Sequence, residues 1–250
     1  MIEGRNIYKS FGDNVVLEDV SVSFEPGITN LIIGQSGSGK TVLLKSLVGL
    51  HEIDKGCIFY DDRNFTEMSR KQRKDIRKEI GMVFQGGALF TSLNIEKNIM
   101  FPLNMFTNMT FEEKRERVNF CLKRVNLDNV NRLFPSELSG GMQKRVSIAR
   151  AIALNPKYLF CDEPNSGLDP VTAIVIDSLI REITIEFQMV TVVNTHDMNS
   201  VMEIGDKVIF IYKGKKWWQG SRDDIFDSDN KELNDFVFAS PLSKKIKKMK

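Results

Sequence analysis

The chain has 250 residues, 42% hydrophobic and 27% charged, with a formal net charge of +2. That length suits one large domain or two small ones, and the balance is ordinary for a soluble globular protein. A charge so near zero sets up no global field toward nucleic acid or a membrane surface. The three cysteines, Cys57, Cys121 and Cys161, are scattered and form no C-x-x-C pair. A disulfide framework or zinc site is therefore not indicated, and a reducing cytosol fits. No window approaches the roughly 18 consecutive apolar residues that span a bilayer, and MIEGRNIYKSFG at the start lacks the apolar core of a signal peptide.

Residues 1–33 read as β-rich. NIYKSF and VVLEDVSVSF flank Gly12-Asp13-Asn14, which is hairpin-turn chemistry, and VLEDVSVSF alternates as a half-solvated strand does. ITNLII then reads as a buried strand, and TVLLKSLVGL further on as a helix. Between them Gly34-Gln35-Ser36-Gly37-Ser38-Gly39-Lys40-Thr41 fits the phosphate-loop pattern G-x-x-x-x-G-K-[ST]. The order strand, glycine loop, helix binds phosphate for a physical reason. Glycines let successive backbone N–H groups turn inward, and the helix N-terminus adds unpaired donors and a partial positive charge. Lys40 is placed to reach the β- and γ-phosphates of a nucleotide, and the Thr41 hydroxyl to ligate Mg²⁺.

GCIFY (56–60) reads as a short strand, and 67–78 as a basic, solvated helix. Asp75 and Glu67 interrupt its charge and no aromatic interleaves, so no nucleic-acid partner is expected there. EIGMVFQ is a strand ending at Gln85. From about 88 to 150 the chain reads as an inserted helical subdomain, with a capping box at Thr110–Glu113 and its ends punctuated by Pro102 and Pro135. A helix from residue 142 to about 154, the strand YLFCDEP, the helix TAIVIDSLIREITIEF and the strand MVTVVNTHD follow. Such alternation predicts an α/β fold with a mainly parallel core sheet, preceded by an antiparallel β subdomain. VIFIYKGKKWWQG reads as a hairpin turning at Lys213-Gly214, and Ser221–Asp224 cap a last short helix. The domain is expected to span 1–228, leaving 229–250 as a basic tail whose FVFA could dock on a neighbouring chain.

Asp162 and Glu163 fall at the C-terminal end of a strand, where ligands sit in open α/β sheets. Asp162 suits a role at Mg²⁺, and Glu163 suits a general base polarising water. Leu138-Ser139-Gly140-Gly141-Met142 precedes a helix and makes a second phosphate-binding N-terminus. One nucleotide needs only one phosphate loop. A homodimer resolves the surplus if each nucleotide lies between one chain's loop and the other chain's Ser139, Gly140 and Gly141.

The set resembles the ATP-binding cassette family of phosphate-loop NTPases: Gly34–Thr41, Gln85, LSGGM, YLFCDEP, Ser166-Gly167-Leu168-Asp169 and His196 stand in family order over residues 2 to about 226. The resemblance implies that Phe11 stacks on adenine, that Gln85 contacts Mg²⁺ and the attacking water, that Asp169 shapes the dimer contact, and that His196 meets the γ-phosphate and orients Glu163. Catalysis would rest on Glu163, His196 and Gln85, with Thr41, Gln85 and Asp162 at the metal. Met142, Phe11 and Val42 depart from the commoner family residues, but Lys40 and Thr41 are intact and hydrolysis is expected. QGGALFTSLNIEKNIMFPL and FPSELSGGMQKRVSIARAIALNPKYLF are further similar to the ATPase subunit of Mla-type phospholipid transporters. That similarity implies an integral permease, an MCE-domain partner and a place on the cytoplasmic face of the inner membrane, with an importer of amino acids or another solute as the alternative. Leu89, Phe90, Ile99 and Phe101 would line the groove that receives the permease.

Overall fold

The computed structural model describes residues 1–239. Its strands in chain order are β1 (Ile2–Phe11), β2 (Asn14–Phe24), β3 (Thr29–Ile33), β4 (Lys55–Tyr60), β5 (Arg63–Asn64), β6 (Ile80–Val83), β7 (Tyr158–Asp162), β8 (Val190–Asn194), β9 (Lys207–Tyr212) and β10 (Lys215–Gly220). Four build an antiparallel sheet in the order β2-β1-β4-β5, and six build a second sheet in the order β10-β9-β3-β8-β7-β6. In the second sheet all neighbours run parallel except the terminal β9–β10 hairpin.

The β1–β2 hairpin closes at the expected Gly12-Asp13 turn, with Phe11 opposite Asn14. The expected alternation of β2 is broken once. Leu17 and Val20 are both buried although they are three residues apart. Asp19 between them takes a left-handed φ of 53°, and the register shifts there. This bulge returns the strand to its buried face.

Both faces of the parallel sheet are covered, so its strands read as nearly continuous apolar runs. Leu31, Ile33, Leu159, Cys161, Val193, Val208 and Phe210 face a helical layer. Ile32, Tyr158, Phe160, Val192, Ile209 and Ile211 face the antiparallel sheet and the helix α1 (Lys40–Leu47). The basic segment forms α2 (Arg70–Lys78), closed by a Ser69/Gln72 capping box, and buries only Ile76.

The inserted subdomain contains α3 (Ile95–Phe106), α4 (Phe111–Arg124) and α5 (Gly140–Ala151). Asn94 and Thr110 cap the first two, and Ser139 caps the third two residues earlier than the spacing predicts. Pro135 opens a short 3-10 turn, but Pro102 lies within α3 rather than at an end. Ile99, expected in the docking groove, is fully buried in the core with Ile95, Leu103 and Val118. The same core cluster also takes in α6 (Pro170–Phe187), α7 (Met198–Ile204), α8 (Asp224–Asp227) and α9 (Lys231–Val237). The packed chain thus runs past residue 228. Leu233, Val237 and Phe238 join its own core and Phe236 stacks on Phe210 at 5.5 Å, so the apolar stretch docks on its own sheet. The basic run 244–250 lies outside the described residues.

Candidate nucleotide site

The phosphate loop leaves β3 at the C-terminal edge of the parallel sheet, and its glycines are required where the backbone is crowded or reversed. Gly34 has φ 149°, and a Cβ there would lie 2.3 Å from the Ile211 carbonyl oxygen. Gly39 has φ 105°, with the Val16 carbonyl 2.9 Å from the same imagined atom. Lys40, only 5% exposed, folds back over the loop, and its Nζ donates to the carbonyls of Gly34 (2.8 Å) and Gln35 (2.9 Å). Burial pulls its pKa down, while the carboxylates of Glu163 and Asp162 oppose that shift. An ammonium has three N–H donors, so one is left over after these two bonds. The Ser38 hydroxyl is buried in the same loop without a hydrogen-bond partner. A buried orphan donor beside inward-turned amides is what an anion such as phosphate satisfies.

Below the loop, at the start of α1, the Thr41 hydroxyl donates to Asp162 Oδ1 (3.2 Å). Asn194 at the end of β8 donates from Nδ2 to both, at 3.0 Å to Thr41 Oγ1 and 2.6 Å to Asp162 Oδ1. Nothing in the residue spacing flags Asn194; it reaches the site because β8 lies between β3 and β7. Thr41 and Asp162 offer converging hard oxygens of the kind Mg²⁺ takes, so the residues present fit that ion.

Glu163 next to Asp162 has a left-handed φ of 47°. That turn sends adjacent carboxylates to different neighbours. One Glu163 oxygen lies 2.9 Å from His196 Nδ1, and the other accepts from Gln85 Nε2 at 2.9 Å. The structure therefore brings Gln85, Glu163 and His196 into one cluster at the sheet edge. The Gln85 amide also reaches Ser166 Oγ at 3.4 Å, and its contacts are to Glu163 and Ser166 rather than to Thr41 or Asp162.

Other predicted residues stand apart from this cluster. Phe11 ends β1 with its ring 47% exposed, edge-on to His51 at 5.3 Å and under the Lys9 ammonium at 5.2 Å. Ser139 and Gly140 are exposed at the head of α5, where the Ser139 hydroxyl accepts from the Met142 N–H at 3.3 Å. Gly141 is buried, and a Cβ on it would come within 2.6 Å of Thr172. Asp169 caps α6, accepting from the Thr172 N–H at 3.0 Å, and its bonds with Thr172 hold its carboxyl below the usual range.

One buried network has no counterpart in the expectations. Asn165, two residues after Glu163, donates to Ser200 Oγ at 2.7 Å and to Asp177 Oδ2 at 3.2 Å. It thereby ties the loop after the acid pair to α6 and to the helix after His196. Burial pushes Asp177 up to about 6, and Asp197 and Glu203 add to the shift.

A glycine loop between a parallel strand and a helix, with paired acids at the end of a neighbouring strand, defines a phosphate-loop NTPase. The family model of the ABC transporter matches residues 17–166. This chain belongs to the ABC transporter family and is an ATP-binding cassette with an ATPase domain. It is 36% identical to a probable ribonucleotide transport ATP-binding protein, mkl, of Mycobacterium leprae, over 94% of this chain and 68% of that protein. It is also 36% identical to the methionine import ATP-binding protein MetN of Campylobacter jejuni, over 95% of this chain and 75% of that one. The fold matches the dimeric structure of MJ0796, a bacterial ABC transporter cassette, with a TM-score of 0.81 and 31% identity over 89% of this chain and 99% of the other.

Proposed function

We propose that the chain works as a homodimer beneath an integral permease and hydrolyses Mg-bound ATP at two composite sites. The observation that carries this reading is Glu163 held between Gln85 and His196 beside a phosphate loop whose buried Ser38 hydroxyl lacks a partner. A water placed by the Gln85 amide attacks the γ-phosphorus, Glu163 takes its proton, and the bond to the bridging oxygen breaks to release ADP. His196 fixes the Glu163 carboxylate and turns its remaining ring nitrogen toward the phosphate. Lys40 neutralises charge on the β- and γ-phosphates, for which its buried position and spare donor suit it. Thr41 and Asp162 would hold Mg²⁺, which supplies charge neutralisation between the phosphates. Phe11 offers an open aromatic face to the adenine ring. The exposed Ser139-Gly140 turn and Asp169 are suited to meet the nucleotide and loop of a second copy.

Permease docking is supported by an open apolar groove of about 430 Å³ lined by Met82, Phe84, Phe90, Phe101, Pro102 and Phe106. Phe90 and Phe101 stay 41% and 39% exposed although their rings meet at 4.7 Å. No helix among the described residues is long and apolar enough to cross a membrane, and such a groove would give a permease segment a seat. For the cargo, the similarity of residues 85–103 and 134–160 to Mla-type subunits favours phospholipid and an MCE-domain partner. The names of the curated relatives favour a small solute such as methionine. Gentle-detergent purification from native cells decides between them. Co-purifying permease, MCE-domain protein and phospholipid support the first reading, and a solute-binding protein without lipid supports the second. For the chemistry, Glu163→Gln is expected to abolish turnover while ATP still binds and accumulates in a dimer. Hydrolysis at the native rate would remove Glu163 as the base.

A further inference from the structure

We infer that Lys144 is a positioning residue for Gln85, acting within a three-residue clamp through which α5 grips the catalytic loop; this rests on the ATPase reading above. Lys144, Ser147 and Arg150 recur every three residues and so lie along one face of α5. Lys144 Nζ donates to the carbonyl oxygen of Gln85 itself. Ser147 Oγ lies 3.1 Å from the Gly87 carbonyl, and the Arg150 guanidinium donates to Gly87 and Ala88 at 2.8 Å each. The two cations thus hold the carbonyls of 85, 87 and 88, with the Ser147 hydroxyl shared between Gly87 and the Gln143 carbonyl at 2.9 Å, in a segment where Gly87 and Ala88 take φ of 74° and 49°. At Ala88, which is not glycine, left-handed backbone of that kind persists only where its surroundings over-determine it.

Lys144 is 7% exposed, and its ammonium is close enough to Glu163 for the two charges to interact. A buried ammonium is costly unless it is bonded. The Gln85 carbonyl is its hydrogen-bond acceptor, so the lysine both satisfies itself and fixes the backbone from which the Gln85 amide reaches Glu163. The far end of the clamped segment is Phe90, whose ring lies under the Arg150 guanidinium at 5.9 Å and whose N–H donates to Asn98 at 2.8 Å. One rigid strip therefore joins the groove-lining Phe90, the helix headed by Ser139 and the catalytic Gln85.

The test uses the full chain with MgATP. Lys144→Met keeps the stem and removes the charge-assisted bond, a class of bond whose loss lowers a rate ten- to a hundredfold if it acts in the transition state, to order of magnitude. The expected result is a fall in kcat of about tenfold or more with KM for ATP within about twofold, and substantial recovery in Lys144→Arg. In a Gln85→Ala background, Lys144→Met should cost nothing further, because the group it positions is gone. Amide exchange at residues 86–89 should speed up in Lys144→Met, a readout independent of turnover. A native kcat in Lys144→Met, or full additivity with Gln85→Ala, overturns the inference. Absence of hydrolysis by the unsubstituted chain overturns the ATPase reading first, and the role of Lys144 in turnover with it.

Discussion

Asp177 ought to make this protein less stable as pH rises, and the size of the effect follows from its surroundings. The side chain is 2% exposed and faces Asn165, Ser200, Asp197, Glu203 and Cys161, with no cation among the groups acting on it. Burial lifts its pKa from 3.8 to about 6. Between those values the folded chain keeps a proton that the unfolded chain has released. Stability therefore falls as pH rises through that window and levels off above about 6. At about 1.4 kcal/mol per pH unit, the gap amounts to about 3 kcal/mol at neutral pH. Asp177→Asn removes the ionisation and keeps one acceptor for Asn165, but turns an amide N–H₂ toward the network at a cost of about 1 kcal/mol. The variant should match the parent near pH 4.5, where the parent has already lost about 1 kcal/mol, and be more stable by about 2 kcal/mol at pH 8. Urea unfolding of both chains across that range measures the difference directly. A difference that stays flat with pH would refute the assignment of the shift to this carboxyl.

Two further outcomes follow from the geometry. Lys40→Ala should weaken ATP binding by an order of magnitude or more, because it removes the loop's only buried cation, and unchanged affinity in equilibrium titration would take the phosphate loop out of its central place. Ile99→Ala and Phe101→Ala should separate core from docking. The first leaves a cavity among Ile95, Leu103 and Val118 and should cost roughly 2–5 kcal/mol in unfolding experiments. The second should leave stability within about 1 kcal/mol and instead weaken co-purification of the permease.

Most of the site is legible in the sequence because its pieces are local. The phosphate loop, the acid pair and the Ser139 turn each announce themselves through short stretches whose flanks read as strand or helix, and the alternation of elements places the first two on one sheet edge, with Ser139 apart at the head of α5. What stays hidden is tertiary. Asn194 looks like an ordinary strand end, and only strand order brings it to Thr41 and Asp162. Asn165, Asp177 and Ser200 are separated by 12 and 23 residues and share no periodicity. Lys144 reads as a solvated helix charge, since lysines on a polar helix usually are. Ile99 shows the reverse problem: on α3 an apolar residue for the groove and one for the core differ only in which way the helix is rotated, and its neighbour Phe101 is the one left open.

The backbone at Glu163 has a consequence for how this sequence can change. A non-glycine residue at φ 47° carries strain of about 1 kcal/mol, to order of magnitude. Glycine would adopt that conformation freely, so Glu163→Gly would relax the turn while deleting the carboxylate that reaches both Gln85 and His196. With Glu163 as the proposed base, folding and turnover pull this position in opposite directions. A population of chains drifting without demand for ATP hydrolysis would lose the glutamate early and keep the fold, making position 163 a sensitive record of whether a descendant still works as an engine.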